Sequence, residues 1–264
     1  MDLILVGITM AVVITLYFKS NKMNHEPKYM RRRFSNWFVL GMSYSFLYMA
    51  RYNLSVSKNA LGDLMTKEAF GYIFGIGTLV YGLSFLLTGP FVDKMGGKFG
   101  MLVAALGAAL ANIFMGILTY YYLNGGRAVD LTVAMTVLYS MNMFFQSFGA
   151  VSIIKVKSYW FHVRERGLFG AIFGSLISFG VYFAFDWGQS IADAMTLNPT
   201  KPLTTAQQFL RTALAVDAGK TSAFWYIFFI PAGILIIWAI IDLFILKDRS
   251  EEHTSELQSH SFIS

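Results

Sequence analysis

Residues 70–92 read FGYIFGIGTLVYGLSFLLTGPFV, a run without a charged side chain. As an α-helix it would be about 34 Å long at 1.5 Å per residue, slightly more than the roughly 30 Å hydrocarbon core of a bilayer. The run is too long for a strand and lacks the alternation of polar and apolar residues that strands show. It therefore predicts a helix that crosses a membrane.

Six further apolar runs lie on either side of this one, and most are also long enough to cross a membrane. They are residues 3–18, 34–52, 99–123, 131–156, 168–187 and 224–246. The sequence therefore predicts an all-α membrane protein that crosses the bilayer several times.

The composition agrees with this prediction. Hydrophobic residues make up 56% of the chain and charged residues 14%, against about 25% charged residues in a soluble domain. The chain has no cysteine, which excludes disulfides, thiolate zinc sites and cysteine nucleophiles. We assign the net charge of +6 to cytoplasmic loops, so the expected partner is the lipid bilayer and not nucleic acid.

Basic residues are concentrated in alternate loops, and the positive-inside rule places those loops in the cytoplasm. The residues concerned are Lys19, Lys22, Lys28, Arg31, Arg32, Arg33, Lys94, Lys98, Lys155, Lys157, Arg164, Arg166 and Lys247. The N-terminus is then outside the cell, and the last apolar run ends inside.

The run at residues 3–18 has two interpretations. It lacks a basic n-region and a clear cleavage site, so it does not resemble a signal peptide. Residues 1–33 are either an additional transmembrane helix with a basic cytoplasmic segment or upstream sequence read from the wrong start. Met23 and Met30 are alternative starts.

Residues 249–264 begin RSEEHTSELQSH, which matches the in-frame translation of a common sequencing adapter. We interpret them as an artefact and residues 34–248 as the authentic six-helix unit; the alternative is a polar cytoplasmic tail. Of the four histidines, His25 and His162 then remain, too few for a histidine metal site. No metal or other cofactor is predicted.

Residues 89–98 read GPFVDKMGGK. We expect Gly89 to allow close helix approach and Gly96 and Gly97 to allow a tight reversal. Asp93 stands at a helix end, where it can pair with Lys94 or Lys98 or accept hydrogen bonds from the N-terminus of a neighbouring helix. An ordinary basic turn is the alternative. The spacing resembles the signature loop of the major facilitator superfamily, and that resemblance implies a cytoplasmic gate, although Gly97 replaces a position that is often basic.

An arginine stands in the run at residues 34–52. Tyr44, Tyr48 and Arg51 follow each other at helical spacing and share one face. A buried arginine is costly in a membrane and its fork suits phosphate or carboxylate, so Arg51 is a candidate anion site. If the helix ends at Tyr52, Arg51 lies at the outer interface; if it continues through Leu61, Arg51 lies nearer the midplane.

Two stretches resemble the organophosphate:phosphate antiporters, a family that includes glycerol-3-phosphate and hexose-phosphate transporters. They are YSFLYMARYN at residues 44–53 and the positions Gln146, Lys155, Trp160, Phe161, Glu165, Arg166 and Gly167. The likeness covers about residues 29–246 and implies the N-terminal six-helix half of a transporter, whose missing C-terminal half supplies a second arginine. It implies substrate contacts at Arg51, Tyr44, Tyr48, Gln146 and Lys155. It implies gating by Gly89, Asp93, Lys94, Gly96, Lys98, Glu165 and Arg166.

Three positions depart from the glycerol-3-phosphate transporter pattern. Phe85 replaces a lysine, Ile177 replaces a histidine and Lys155 replaces an arginine, so the substrate is open to another organic anion. Among the acidic residues of 34–246, Asp242 alone is a candidate for a position inside a helix, and it stands near the inner end of the last apolar run. We therefore expect exchange of an organic phosphate for inorganic phosphate and not proton symport. A membrane sensor of sugar phosphate is the alternative, and no catalytic constellation indicates an enzyme.

Small residues predict helix contacts elsewhere in the chain. Gly170 and Gly174 form a Gly-x-x-x-Gly pattern in the run at residues 168–187. A second small face, in the run at residues 99–123, consists of Ala104, Gly107, Ala108 and Ala111.

Overall fold

A computed structural model describes residues 2–21 and 23–249, and within this part the chain contains helices and turns but no strand. The helices are α1 (Asp2–Lys19), α2 (Pro27–Leu61), α3 (Lys67–Met95), α4 (Gly97–Leu123), α5 (Leu131–Trp160), α6 (Arg166–Tyr182), α7 (Gly188–Met195), α8 (Thr205–Ala213) and α9 (Tyr226–Ile245). Each of the seven apolar runs is helical in the structure.

Five helical segments are long and apolar enough to cross a membrane: α3, α4, α5, residues Phe169–Met195 and α9. The fourth combines α6 and α7, which are joined by a π-helical turn at Phe183–Trp187. The prediction of an all-α, multi-pass membrane protein is confirmed. The proposed tail at residues 250–264 lies outside the described residues.

The longest helix, α2, is more polar than the other core helices. Its polar residues are tolerated because other helices surround it. It packs against α6 and α9 and also touches α4 and α5. Its buried residues include Asn36, Ser43, Arg51, Asn53 and Ser57. Protein therefore covers these polar positions of α2.

Helices α4 and α5 approach each other closely. Gly107 of α4 faces the ring of Phe145 in α5, where a Cβ atom would come within 2.2 Å. Ala104, Ala108 and Ala111 are fully buried on the same helix, so the predicted small face of α4 is confirmed.

The expectation for Gly170 and Gly174 is wrong within the described chain. Both residues are exposed, and a Cβ at either would meet nothing within 4 Å. Instead, α6 approaches α2 at Gly180, where a Cβ would lie 2.9 Å from the backbone of Ser45. The hydroxyl of Ser45 donates to the carbonyl of Leu176 at 2.6 Å, which joins the two helices at this point.

Helix α1 packs against the bundle at its C-terminal end. Tyr17 is completely buried, and its hydroxyl donates to the carbonyl of Met30. Its ring lies 5.3 Å from that of Trp37. Whether α1 crosses the membrane stays a prediction.

Candidate functional site

Arg51 lies in the interior of the bundle. It is 8% exposed, and its Nε donates a hydrogen bond of 2.9 Å to Oε1 of Gln146. Its guanidinium carbon lies 4.3 Å from the ring centre of Tyr81 and 5.2 Å from that of Tyr48. The structure thus brings together Arg51, Gln146 and Tyr48 from the predicted set and adds Tyr81.

The contacts of Arg51 define its depth. Tyr81 is the middle residue of α3, and Gln146 is one of the two middle residues of α5. Helix α2 continues through Leu61, so the second of the two positions considered for Arg51 is the one observed. Arg51 lies near mid-depth of the bundle and does not extend to an interface.

One N–H donor of the Arg51 guanidinium has no hydrogen-bond partner in the described residues. Nη2 of Arg51 is buried, and no group in the described residues accepts a hydrogen bond from it. No carboxylate of residues 2–21 and 23–249 pairs with Arg51 either. A buried cation without a counter-charge is costly, and the two tyrosine rings offset only about 2 kcal/mol of that cost. The site therefore favours an anion beside Nη2.

A ladder of buried amides extends behind Gln146. Nε2 of Gln146 donates to Oδ1 of Asn142 at 3.1 Å, and Nδ2 of Asn112 reaches the same oxygen at 3.4 Å. Nδ2 of Asn53 donates to Oδ1 of Asn112 at 2.6 Å. Asn112 and Asn142 also donate to the carbonyl of Ala50, the residue before Arg51. We name Gln146, Asn142, Asn112 and Asn53 the amide ladder; it fixes α2 at Arg51 relative to α4 and α5.

Aromatic side chains line the approach to Arg51. The rings of Tyr44 and Tyr48 lie 5.2 Å apart, edge to face, and Tyr44 is 8% exposed. Phe85, one of the three departures, packs edge to face against Tyr81 at 4.9 Å. Phe85 therefore lies beside a ring that contacts Arg51, where its identity can affect the substrate.

Residues 89–98, which we name the gate loop, make different contacts from those expected. Asp93 forms an ion pair of 2.7 Å with Lys155 of α5, not with Lys94 or Lys98. Nζ of Lys98 donates to the carbonyl of Leu243, and its backbone N donates to Asp248. The expected pairing is wrong because Lys98 is already bonded to the end of α9. The loop joins α3 to α5 and α4 to α9.

Lys155 is not beside Arg51. It lies nine residues beyond Gln146, about 13 Å along α5. Its role in substrate binding stays a prediction, and the contact that the structure gives it belongs to the gate loop. Lys94 is exposed at the end of α3.

The three glycines of the loop have different surroundings. Gly96 has φ of +90°, so the reversal from α3 to α4 needs a glycine there. At Gly97 a Cβ would lie 2.6 Å from Val156 and 2.9 Å from the carbonyl of Ser152. A basic residue cannot fit, which explains this departure from the signature. Gly89 was expected to allow a helix contact, but a Cβ there meets nothing within 4 Å of the described chain.

Glu165 anchors a buried ion pair at the same end of the bundle. Its carboxylate accepts two hydrogen bonds from Arg33, at 2.8 and 3.2 Å, and lies 3.3 Å from Nε2 of His25. Burial acts to raise the pKa of Glu165, but the bonds and charge of Arg33, with His25, hold that pKa below its ordinary value. The guanidinium of Arg33 also lies 4.7 Å from the ring of Phe161. The side chain of Arg166, also expected in the gate, lies outside the described part of the structure.

Sequence reasoning missed Tyr81, Arg33 and three members of the amide ladder. An available signal was the presence of Asn112 and Asn142 inside apolar runs, since amides are uncommon in lipid-facing helices. Arg33 gave no such signal, because it stands in a polybasic segment where solvated residues are the usual expectation.

Comparison with known proteins gives distant relatives. The chain is 21% identical over 144 residues to the membrane sensor protein UhpC of Salmonella typhimurium, covering 54% of the chain and 30% of that protein. The protein of the same name in Escherichia coli gives the same identity and coverage. The "Probable hexose phosphate transport protein" of Chlamydia trachomatis is 21% identical over 163 residues, which cover 59% of the chain and 33% of that protein.

No family model matches the chain. The chain spans about a third of the length of the curated relatives it matches. Those relatives bear the names of a membrane sensor and of a transport protein, and none bears the name of an enzyme. Two of them are named membrane proteins, in agreement with a chain that crosses a membrane several times.

Proposed function

We propose that the chain is the N-terminal six-helix half of a major facilitator transporter that exchanges an organic phosphate for inorganic phosphate by alternating access. Residues 34–248 would form this half, residues 1–33 an additional helix with its basic segment, and residues 249–264 the adapter artefact. One observation carries the proposal: Arg51 is buried near mid-depth with Nη2 unpaired. Transporters of this architecture bind substrate near mid-depth between two helical repeats.

The chemistry of the site suits a phosphate monoester. A guanidinium binds phosphate oxygens through a planar fork, and its attraction to the anion strengthens where water is excluded. Nε of Arg51 is held by Gln146, which leaves Nη2 to face a ligand. Tyr44 and Tyr48 would supply hydroxyl donors and aromatic surface, and a second arginine would come from the missing half.

The gate loop would control the cytoplasmic side. Asp93 with Lys155, and Lys98 with Asp248, join the ends of four helices in two pairs, α3 with α5 and α4 with α9. Asp93 and Lys155 are partly exposed, so their bond is worth about 1 kcal/mol or less and can break on rocking. Lys155 would then act in the gate in this state and reach substrate only after that bond opens.

A membrane sensor of sugar phosphate is the second candidate. Two of the three relatives are named membrane sensor proteins, and binding without transport needs the same cationic site. The departures at Phe85, Ile177 and Lys155 also leave a carrier of another organic anion within the proposal.

The test uses the full-length gene product in liposomes loaded with phosphate. We expect uptake of labelled glucose-6-phosphate or glycerol-3-phosphate that requires internal phosphate and falls more than about tenfold in Arg51→Lys, because an ammonium cannot reproduce the fork. Arg127→Lys, at an exposed loop, is the matched control. Binding without uptake supports the sensor, and the absence of both contradicts the phosphate assignment.

A further inference from the structure

A buried carboxyl lies on α9, away from the Arg51 site. Asp242 is 0% exposed and stands one turn before the end of the helix. Its Oδ2 lies 2.7 Å from the hydroxyl of Ser43 on α2. Its Oδ1 is buried and has no hydrogen-bond partner in the described residues.

The hydroxyl of Ser43 has one proton but two acceptors within reach. Its Oγ lies 2.9 Å from the carbonyl of Val39 and 2.7 Å from Asp242. If Asp242 is ionised, Ser43 can satisfy only one of these acceptors. If Asp242 carries a proton, it donates to Oγ of Ser43, and Ser43 donates to Val39. The carbonyl of Val39 also accepts a hydrogen bond of 3.1 Å from Nε1 of Trp238, so either form of Asp242 can bond to Ser43, but only the protonated form also keeps the bond from Ser43 to Val39.

The charged groups around Asp242 have other partners. From α2, Nη2 of Arg32 donates to the carbonyl of Ile245 at 2.7 Å. From α4, Nζ of Lys98 donates to the carbonyl of Leu243 at 2.6 Å, while its backbone N bonds Asp248. Lys98 favours the ionised form through its charge but makes no ion pair with Asp242 in the described chain.

Among residues 2–21 and 23–249, no ion pair joins Asp242 to a basic side chain. Helix α7 packs against α9, and its one charged residue, Asp193, is exposed and bonded to Gln189. Lys247, beyond the end of α9, bonds Asn36 through its backbone. An ionised Asp242 would therefore be a buried charge with one hydrogen bond, which is costly.

We propose that Asp242 is a proton-binding site, protonated at neutral pH while α9 packs against α2. When this end of α9 separates from α2 and becomes hydrated, the carboxyl O–H breaks, the proton passes to water, and Ser43 donates to the carboxylate. Proton release is thereby linked to opening of the cytoplasmic end. Anion exchange does not require such a proton, and this inference does not rest on the role of Arg51.

Infrared difference spectroscopy of the chain in lipid nanodiscs tests the proposal. We expect a protonated-carboxyl band at neutral pH that disappears in Asp242→Asn and persists in Asp63→Asn, an exposed control. In Ser43→Ala the band should shift to higher frequency, because the carboxyl loses its hydrogen-bond acceptor. Absence of any protonated-carboxyl band from the parent chain at neutral pH overturns the proposal, and this result needs no variant to fold.

A thiol probe tests the link to opening. The chain has no cysteine, so Leu246→Cys introduces a single thiol beside the end of α9, at a position that is 0% exposed. We expect its labelling rate to increase from neutral to alkaline pH. This increase should be severalfold larger than that of the control Asn59→Cys, whose thiol stands at an exposed position. The increase should vanish when Asp242→Asn is added, since a neutral amide has no proton to release. An unchanged increase in the double variant contradicts the link.

Discussion

Nε of Arg51 donates a hydrogen bond of 2.9 Å to Oε1 of Gln146, so α2 and α5 are joined at the proposed anion site. Replacing the neutral acceptor by a carboxylate changes the charge of this contact without changing its shape. In Gln146→Glu the new carboxylate would neutralise Arg51 and compete with the ligand. We expect affinity of the full-length protein for glucose-6-phosphate to fall about tenfold or more, which is about 1.4 kcal/mol, in equilibrium binding.

The matched control for this change is Gln189→Glu on α7, where Gln189 bonds an exposed aspartate. An equal loss of affinity in both variants would indicate a general effect of added negative charge. Unchanged affinity in Gln146→Glu would exclude a ligand at Arg51.

The amide ladder should contribute to stability as well as to positioning. Asn112→Ala removes the acceptor for Asn53 and one of the donors to Ala50. Loss of buried hydrogen bonds and the resulting cavity should cost about 2 kcal/mol and lower the apparent melting temperature by about 5 °C. Tryptophan fluorescence during heating in detergent measures this, and Asn59→Ala at an exposed position should leave the temperature unchanged. Equal melting temperatures of the two variants would contradict a stabilising role for the amide ladder.

The Arg33–Glu165 pair predicts a dependence of stability on pH. Because the folded pKa of Glu165 is below its ordinary value, its contribution is complete above the unfolded pKa of about 4.3. It is lost as the pH falls through the folded pKa. Glu165→Gln should therefore destabilise the bundle by about 3 kcal/mol at neutral pH, since it leaves Arg33 buried and unpaired. Denaturant unfolding at several pH values measures this.

In that experiment, the difference between the parent chain and Glu165→Gln should shrink as the pH falls into the acidic range. Asp63→Asn, at an exposed position, serves as the control. A difference that stays constant with pH would show that the variant acts through packing and not through charge.

Two glycines of the gate loop should respond differently to the same substitution. Gly97→Ala places a methyl group 2.6 Å from Val156 and should cost about 1–3 kcal/mol by separating α4 from α5. Gly89→Ala meets nothing in the described chain and should leave melting of this chain unchanged. If Gly89 contacts the missing half, Gly89→Ala should instead reduce transport by the full-length protein. Destabilisation of this chain by Gly89→Ala would contradict the geometry.

The helices were predictable because the length of an apolar run is governed by the thickness of the bilayer. The runs beginning at residues 70, 99 and 131 coincide with α3, α4 and α5 to within a few residues. The end of α2 was not predictable in the same way. Polar positions such as Asn53 and Ser57 lower the hydropathy there, but they face other helices, and a sequence does not state which faces meet protein.

Contacts between distant helices account for the rest of what was missed. Arg51, Tyr44 and Tyr48 share one helix, so their common face follows from spacing alone. Tyr81 stands on α3, and no local pattern relates it to Arg51. Lys155 was assigned to substrate by resemblance, whereas its ion pair with Asp93 depends on how α3 packs against α5.

The Arg33–Glu165 pair joins residues 132 positions apart in the chain. At a synthesis rate of about 5–20 residues per second, Arg33 leaves the ribosome about 7–26 seconds before its partner exists. During that interval Glu165 cannot neutralise Arg33, and the anionic lipid headgroups of the inner leaflet attract the polybasic segment around it. The order of translation thus makes lipid charge a temporary partner of Arg33 until Glu165 has been synthesised.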